Sequence, residues 1–351
     1  MNVALFTGIR ELEVCERSMP ILERPGDVLL QIETVGVCGS DIHYYTEGRI
    51  GGQVIEHPAT LGHECAGTVV EVGSVVAGLE AGQRVAIDPA ISCGQCDQCQ
   101  QGRAHTCRNL QFLGYPGQAP GAAMEYITIA AESCYPIPDS MTMVQAALVE
   151  PLSVGIHAVR LAEMQPGGAV AVLGSGPIGL SVLLAVGALC PSRTYVTDLL
   201  DNRLELAKRC GADWTGVPTS EDVVKAILKE EPDGLDCVFE CAGRQKTLGQ
   251  AVELLKPGGT LVLVGIPETD RVSFEIDSLR RKELRLLNVR RQNDCTKVAI
   301  DLVASGAVIV DPLATHHFTL DETKAAFDLV AEYADGVVKA IIHVPNSPVQ
   351  P

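Results

Sequence analysis

The chain has 351 residues, 46% hydrophobic and 20% charged, which is enough for two domains of ordinary size and too apolar for a mainly disordered chain. With 27 Lys and Arg against 44 Asp and Glu the formal charge is −17, which repels phosphate backbones and anionic lipid and argues against nucleic-acid and membrane partners. The 34 glycines show no triplet period, so a fibrous architecture is excluded as well.

The opening MNVALFTGIRELEV has no basic flank, long apolar core or small-residue cleavage site, so no secretion signal is expected. An odd count of 13 cysteines without such a signal points to reduced thiols and metal ligands, and to a cytoplasmic protein. Up to about residue 149 the chain reads as short strands between turns: DVLLQIETVGV (27 to 37), ECAGTVVEVG (64 to 73) and QRVAIDPA (83 to 90), with little helical periodicity. From about Glu150 strands alternate with helical segments. The strands are AVAVLG (169 to 174), RTYVTD (193 to 198), DCVFEC (236 to 241) and TLVLVG (260 to 265). That alternation predicts a parallel sheet with crossover helices, hence an α/β fold. Residues 164 to 192 carry no charge, but Pro166, Gly167, Gly168, Gly174, Gly176, Pro177 and Gly179 cut them into a buried strand, a turn and a buried helix, not a membrane span. The tail, from about 289, predicts two helices (294 to 305 and 321 to 334) and two strands ending in AIIHV. No internal repeat is evident.

Gly174-Ser175-Gly176-Pro177-Ile178-Gly179 is a GxGxxG run that follows a strand and opens a helix, the context a dinucleotide-binding turn requires. The helix N-terminus offers free N–H groups and partial positive charge to a pyrophosphate. Asp198 ends the next strand, 19 residues after Gly179, where a carboxylate accepts bonds from ribose hydroxyls and repels a 2′-phosphate. The pair favours NAD over NADP. Arg203, one turn into the following helix, could reach a phosphate and blur that preference, pack on the adenine, or simply be exposed.

Cys93-x2-Cys96-x2-Cys99-x7-Cys107 gathers four thiols in fifteen residues, a spacing suited to a closed tetrahedral zinc site. An iron–sulfur cluster is the competing metal, disfavoured because no second cysteine cluster accompanies it. A dispersed set is Cys38 in VGVCGSDIH, His63 and Glu64 in LGHECAG, and Glu150 in LVEPLSVG. A catalytic zinc needs about three protein ligands and an open position. By spacing alone, a lone Cys or His reads equally well as a packed core residue.

With VCGSD, LGHE, the four-cysteine loop and GSGPIG in this order, the whole chain resembles the zinc-dependent medium-chain alcohol dehydrogenases. GSDIHYYTEGRIG, VEPLSVGIHA, VTDL and VRRQN make it most similar to the polyol branch, the sorbitol and xylitol dehydrogenases. The resemblance implies a GroES-like β-rich catalytic domain (1 to 149 and 289 to 351) and a Rossmann doubly wound parallel-sheet coenzyme domain (150 to 288), with zinc and nicotinamide in the cleft between. It assigns Cys38, His63 and Glu64 to the catalytic zinc. Glu150 stands where many relatives have a cysteine ligand, and the sequence leaves open which glutamate is bonded at rest. It implies a structural zinc on Cys93, Cys96, Cys99 and Cys107, and a proton relay through Ser40 and His43. Tyr44, Phe112, Glu150 and Arg290 are assigned to substrate. Gly174, Gly176, Pro177, Ile178, Gly179, Asp198, Arg203, Val264, Gly265, Ile266, Val289, Arg290 and Arg291 are assigned to NAD.

The implied reaction is interconversion of a polyol and a ketose by hydride transfer at a secondary alcohol, in a homo-oligomer, dimer or tetramer, with TLVLVGIP closing the coenzyme sheet at the subunit edge. Two departures stand out: the four-cysteine loop, absent from some animal relatives, is entire, and Arg290-Arg291 replaces a frequent Arg-Tyr pair. Oxidation of L-threonine or 2,3-butanediol is the main rival activity, and an NAD-binding scaffold without turnover is the non-enzymatic one. Neither a GxSxG elbow nor a Walker lysine is present.

Overall fold

In the computed structural model, which describes residues 1 to 345, strand Asp27–Gly36 lies within a seven-stranded sheet. Its run of Val28, Leu30, Ile32 and Val35 is buried, as a β-branched and aliphatic strand flanked on both sides requires. Antiparallel Glu64–Val72 covers one edge. The other edge is shared by Tyr126–Ala130 at the strand's start and Lys339–His343 at its end. Arg84–Ile87 and Cys134–Pro136 extend the sheet on one side, and Ala314–Thr319, parallel to Lys339–His343, ends it on the other. Phe6, Tyr45 and Phe327 fill the core beside it, with ring centroids 4.9 Å (Phe6–Phe327) and 5.4 Å (Tyr45–Phe327) apart.

Sequence patterning did not foresee the helix Gly39–Glu47, because its apolar positions are few. Local hydrogen bonding starts and stops it instead: the Cys38 N–H donates to Asp41 Oδ2 at 3.3 Å, and Gly48, at φ 70°, ends it in the left-handed region.

Residues 1 to 150, joined by the segment from Val310 onward, form one compact unit, and Pro151–Ile309 form a second. The second unit holds six parallel strands in the spatial order Trp214–Gly216, Arg193–Thr197, Ala169–Leu173, Leu235–Glu240, Leu255–Leu263, Arg285–Asn288. In chain order this is 3-2-1-4-5-6, the doubly wound arrangement. Two boundaries differ from expectation. The TLVLVG strand does not close the sheet, because Arg285–Asn288 pairs along its outer side. The chain's return to the first unit falls near 310 and not at 289. The ladder continues past the last strand, with Val289 N–H donating to Leu263 at 2.9 Å, and Arg160 holds the Asp294 carbonyl at 3.2 Å ahead of helix Thr296–Ala304. Among the described residues no helix is long and apolar enough to cross a membrane; the uncharged stretch becomes strand Ala169–Leu173 and helix Pro177–Leu189.

Lys282 closes the far end of helix Gln245–Leu254. Its ammonium donates to the carbonyls of Val252 (2.8 Å), Glu253 (2.9 Å) and Leu255 (2.7 Å), groups that the helix cannot satisfy internally. Lys282→Met should therefore lower the melting temperature by about 2–6 °C, as expected for losing roughly 1–2 kcal/mol of charge-assisted bonds, while leaving activity unchanged; thermal scans beside turnover assays check this.

Candidate functional site

Antiparallel pairing sets Gly36 opposite Glu64, so the residues just beyond each strand end, Cys38 and His63, meet above the sheet. The His63 ring hydrogen-bonds Cys38, and its Nδ1 lies 3.3 Å from Asp41 Oδ1. Asp41 is 1% exposed and also accepts from the Cys38 and Gly62 N–H groups, at 3.3 and 3.4 Å. Burial opposes charge on His63, but Asp41 and Cys38 together outweigh it and hold its pKa well above the ordinary value. Ser40 Oγ donates to Cys38 Sγ at 3.3 Å.

Glu64 is fully buried, and its carboxylate is held by Lys339, whose Nζ donates to Oε1 at 2.6 Å, to Oε2 at 2.5 Å and to the Val37 carbonyl at 3.0 Å. Close approach is possible because residue 36 is glycine: a Cβ there would stand 2.4 Å from Glu64 Oε2. Burial lowers the Lys339 pKa, yet Glu64 and Cys38 raise it further, so the ammonium stays charged. Both Glu64 oxygens are thus directed at a cation of the chain's own. Glu150 opens the helix Val149–Ala162 and is buried; burial, with Glu64 and Asp88 nearby, pushes its carboxyl up to about 7 against the pull of His63 and Lys339. Cys38, His63 and Glu150 remain as the groups able to hold an ion, two of them already in contact.

His43 lies one turn beyond Ser40 on the same helix, with Nδ1 3.8 Å from Glu47, so the two expected relay residues are brought near in sequence with different partners. Tyr44 and Phe112 are both buried and belong to one aromatic chain: His63–Phe112 at 5.2 Å, Phe112–Tyr115 at 6.2 Å and Tyr115–Tyr44 at 6.1 Å between centroids.

The four cysteines of the loop lie with all ligand atoms within 4.8 Å of one another, the only such group of three or more His, Cys, Asp or Glu among the described residues. The Cys96–Cys99, Cys96–Cys107 and Cys93–Cys107 sulfurs are 3.6, 3.8 and 3.4 Å apart. Four thiolates around zinc at about 2.3 Å have edges of about 3.8 Å, so the loop fits the ion. Backbone N–H groups of Arg108 and Cys99 lower the Cys96 thiol to about 6, while burial lifts Cys107 to about 11.

In the second unit Gly174 N–H bonds the Thr197 carbonyl at 2.8 Å and Gly176 caps helix Pro177–Leu189, with Pro177 at its first position and Ile178 next. Gly179 sits so close beneath the turn that a Cβ would lie 1.9 Å from the Gly174 carbonyl oxygen. Asp198 accepts from Ser175 N–H at 2.7 Å and Leu200 N–H at 3.0 Å, and Arg203 reaches to 4.0 Å of it beside Gly176. Ser175 Oγ is fully buried with no protein partner among the described residues, as expected where a ligand completes the loop. Val264 and Gly265 N–H groups both bond the Glu240 carbonyl, at 2.9 and 2.8 Å, ahead of exposed Ile266. Val289, exposed Arg290 and Arg291, the last at φ 56°, follow the edge strand. The loop and helix start suit a dinucleotide.

Three residues escaped the sequence reading. Asp41 lies inside the quoted VCGSD motif, and its three-residue spacing from Cys38 is a capping signal. Tyr115 follows Phe112 in a turn-rich loop without a distinguishing pattern. Lys339 lies 275 residues from Glu64 with no local signature.

Two family models match the chain: "Alcohol dehydrogenase GroES-like domain" over residues 24–139 and "Zinc-binding dehydrogenase" over 174–305. A sorbitol dehydrogenase of Bacillus subtilis is 35% identical over 347 residues, 99% of this chain and 98% of the relative. Among solved structures, a zinc-binding dehydrogenase of Sinorhizobium meliloti bound to NADP is 33% identical with a TM-score of 0.89, covering 97% of this chain and 98% of that one. The 2R,3R-butanediol dehydrogenase of B. subtilis is 29% identical with a TM-score of 0.88, covering 98% and 99%. With this full-length likeness, the four-thiol loop and the Gly174–Gly179 turn, the chain belongs to the zinc-dependent medium-chain alcohol dehydrogenase family and is an oxidoreductase that uses zinc and a nicotinamide nucleotide.

Proposed function

We propose that the chain oxidises a secondary hydroxyl of a linear polyol to a ketose with NAD, and runs the reverse reduction. The observation that carries this reading is the full-length, 35% identity with a sorbitol dehydrogenase. Cys38, His63 and Glu150 would hold the catalytic zinc, and Cys93, Cys96, Cys99 and Cys107 the structural one. When bound, zinc supplies a Lewis acid that eases loss of a hydroxyl proton, and the nicotinamide accepts the hydride.

The protein's own part is orientation and proton handling. Asp41, 3.3 Å from Nδ1 of His63, would fix the tautomer that leaves Nε2 to hold the ion. Ser40 steadies the Cys38 sulfur, and Lys339 holds the Glu64 carboxylate in a buried pair, which would favour Glu150 over Glu64 as the ligand at rest. Ser40 and His43 would carry the hydroxyl proton outward, and Glu150 would accept it only when not bonded to the ion. Tyr44, Phe112, Glu150 and Arg290 would receive the polyol: a phenol, a carboxylate and a guanidinium match adjacent hydroxyls, and an aromatic wall covers the carbon chain. We place the protein in the cytoplasm as a homo-oligomer, dimer or tetramer. A second copy would add to the sheet at the edge strand Arg285–Asn288, where Leu286 is 36% exposed.

Metal analysis should give two zincs per chain. Cys38→Ser should lose the catalytic ion and activity with the melting temperature nearly unchanged. Cys99→Ser should lose the other ion and chiefly stability, because a closed site contributes folding energy. Full activity with less than one zinc per chain would overturn this assignment.

Asp198 should favour NAD over NADP by at least about tenfold, roughly 1.4 kcal/mol, and Asp198→Ala should narrow the gap. Equal kcat/KM with the two cofactors, as a reach of Arg203 to the 2′-phosphate would produce, counts against it.

Polyols of four to six carbons should exceed ethanol, 2,3-butanediol and L-threonine in kcat/KM, because simple alcohols leave the polar groups of the pocket unpaired. Arg290→Ala should hurt polyols more than a simple secondary alcohol. If threonine or butanediol leads the panel, the polyol assignment is wrong and Arg291 is the first residue to examine.

A further inference from the structure

In the second unit the order of strands reverses between the neighbours Ala169–Leu173 and Leu235–Glu240, and the carboxyl ends of such a pair are where a doubly wound sheet receives its ligand. A helix follows each strand, Pro177–Leu189 after the first and Gln245–Leu254 after the second. Two helix N-termini at one crevice would compete for a single pyrophosphate. Glu240, the last residue of its strand and 1% exposed, occupies one of them. Its Oε1 accepts from the Ala242 and Gly243 N–H groups at 3.0 and 2.9 Å and from the Thr247 hydroxyl at 2.7 Å, and the Arg244 N–H bonds the same carboxylate. Arg244, the N-cap residue of helix Gln245–Leu254, makes no side-chain cap bond, so the negative charge offered to that helix start comes from Glu240. Burial pushes the Glu240 carboxyl up, against the pull of these donors.

The backbone of the same residue organises a second loop. Its carbonyl accepts from the Val264 and Gly265 N–H groups, at 2.9 and 2.8 Å. The loops then close on one another without room for a side chain. A Cβ at Gly174 would stand 2.9 Å from the Ala242 nitrogen, one at Gly265 2.6 Å from the Gly243 nitrogen, and one at Gly243 2.2 Å from the Ile266 carbonyl oxygen. We propose that Glu240 is a positioning residue for the nicotinamide nucleotide: it shapes the loop 241 to 244 against which Gly174 and Gly265 are set, and it fills the competing helix start so that the pyrophosphate is directed to Gly174–Gly179. This rests on the reading of Gly174–Gly179 and Val264–Ile266 as nucleotide residues, and Glu240 acts through those loops.

The test measures NADH dissociation constants on zinc-loaded, full-length protein, with kcat and with KM for NAD and for the fastest alcohol of the panel above. Glu240→Ala should weaken NADH and raise the KM for NAD by at least about fivefold, with zinc content unchanged and with the alcohol KM and the kcat at saturating NAD within about twofold of wild type. Glu240→Gln keeps an acceptor oxygen for the same donors and should bind NADH within about twofold of wild type. Thr247→Val, which removes one donor, should weaken NADH by at least about twofold, and it decides the matter if Glu240→Ala does not fold. The proposal is overturned if Glu240→Ala folds and weakens NADH by less than stated, if Glu240→Gln is as impaired as Glu240→Ala, if the alcohol KM rises in step with that for NAD, or, where Glu240→Ala does not fold, if Thr247→Val binds NADH unchanged. Asp198→Ala, assayed with NAD and NADP, tests the nucleotide reading separately: an altered cofactor preference there beside unaltered NADH binding in Glu240→Ala sinks this proposal alone.

Discussion

The buried ion pair between Lys339 and Glu64 is the interaction on which the first unit turns. Each side chain is 1% exposed, and neither charge would be stable there without the other. The pair also reaches the Val37 carbonyl, so one ammonium ties together the last strand, the central strand's exit and the start of strand Glu64–Val72. These pieces come from opposite ends of the chain. Until the segment after Val310 has returned and paired with Asp27–Gly36, Glu64 has no counter-charge and the exit of the central strand is unpinned. An unpaired carboxylate at that depth costs several kcal/mol, on the order of 3–5. Completion of the sheet and formation of the candidate metal site are therefore one event.

The same pair bears on which of the candidate groups is left to hold an ion. A carboxylate already neutralised by an ammonium has little to gain from a second cation, whereas Lys339 directs its hydrogen bonds to Glu64 and the Val37 carbonyl and leaves Cys38, His63 and Glu150 to other partners. Asp41 works on the other side of the site, orienting His63 from behind while its second oxygen starts the helix that carries Ser40, His43 and Tyr44. One carboxylate thus couples ligand geometry to backbone geometry. A loosened Asp41 would blur the His63 ring and the helix together.

How far the sequence foresees these features depends on how local each one is. The cysteine loop closes within fifteen residues, and its four sulfurs lie where its spacing implies. The nucleotide turn is equally local: glycine at 179 is required by a carbonyl five residues earlier. Strand and helix alternation in the second unit is carried by hydrophobic period and by Gly and Pro punctuation, so its elements fall close to their expected bounds. What escaped is non-local or weakly patterned. Helix Gly39–Glu47 is set by capping and not by an apolar stripe. Arg285–Asn288 is a short edge strand with exposed side chains, and little in its composition distinguishes it from a loop. Lys339 looks like an ordinary charge before a terminal strand, and only the fold reveals that it is buried.

The two kinds of metal arrangement also differ in what each demands of the rest of the protein. The four-cysteine loop brings its own negative charge and its own turns, so zinc can organise it with little help from elsewhere, and its stability is the loop's own. The Cys38 set is assembled by strand register: a shift of one residue between Asp27–Gly36 and Glu64–Val72 would turn Glu64 away from Lys339 and carry His63 past Cys38. Catalysis requires ligands positioned to within fractions of an ångström, and a loop held by its ion cannot guarantee that before the ion arrives. A sheet with a buried charge pair where three of its strands begin or end can, because any misregistered form would leave that pair unsatisfied.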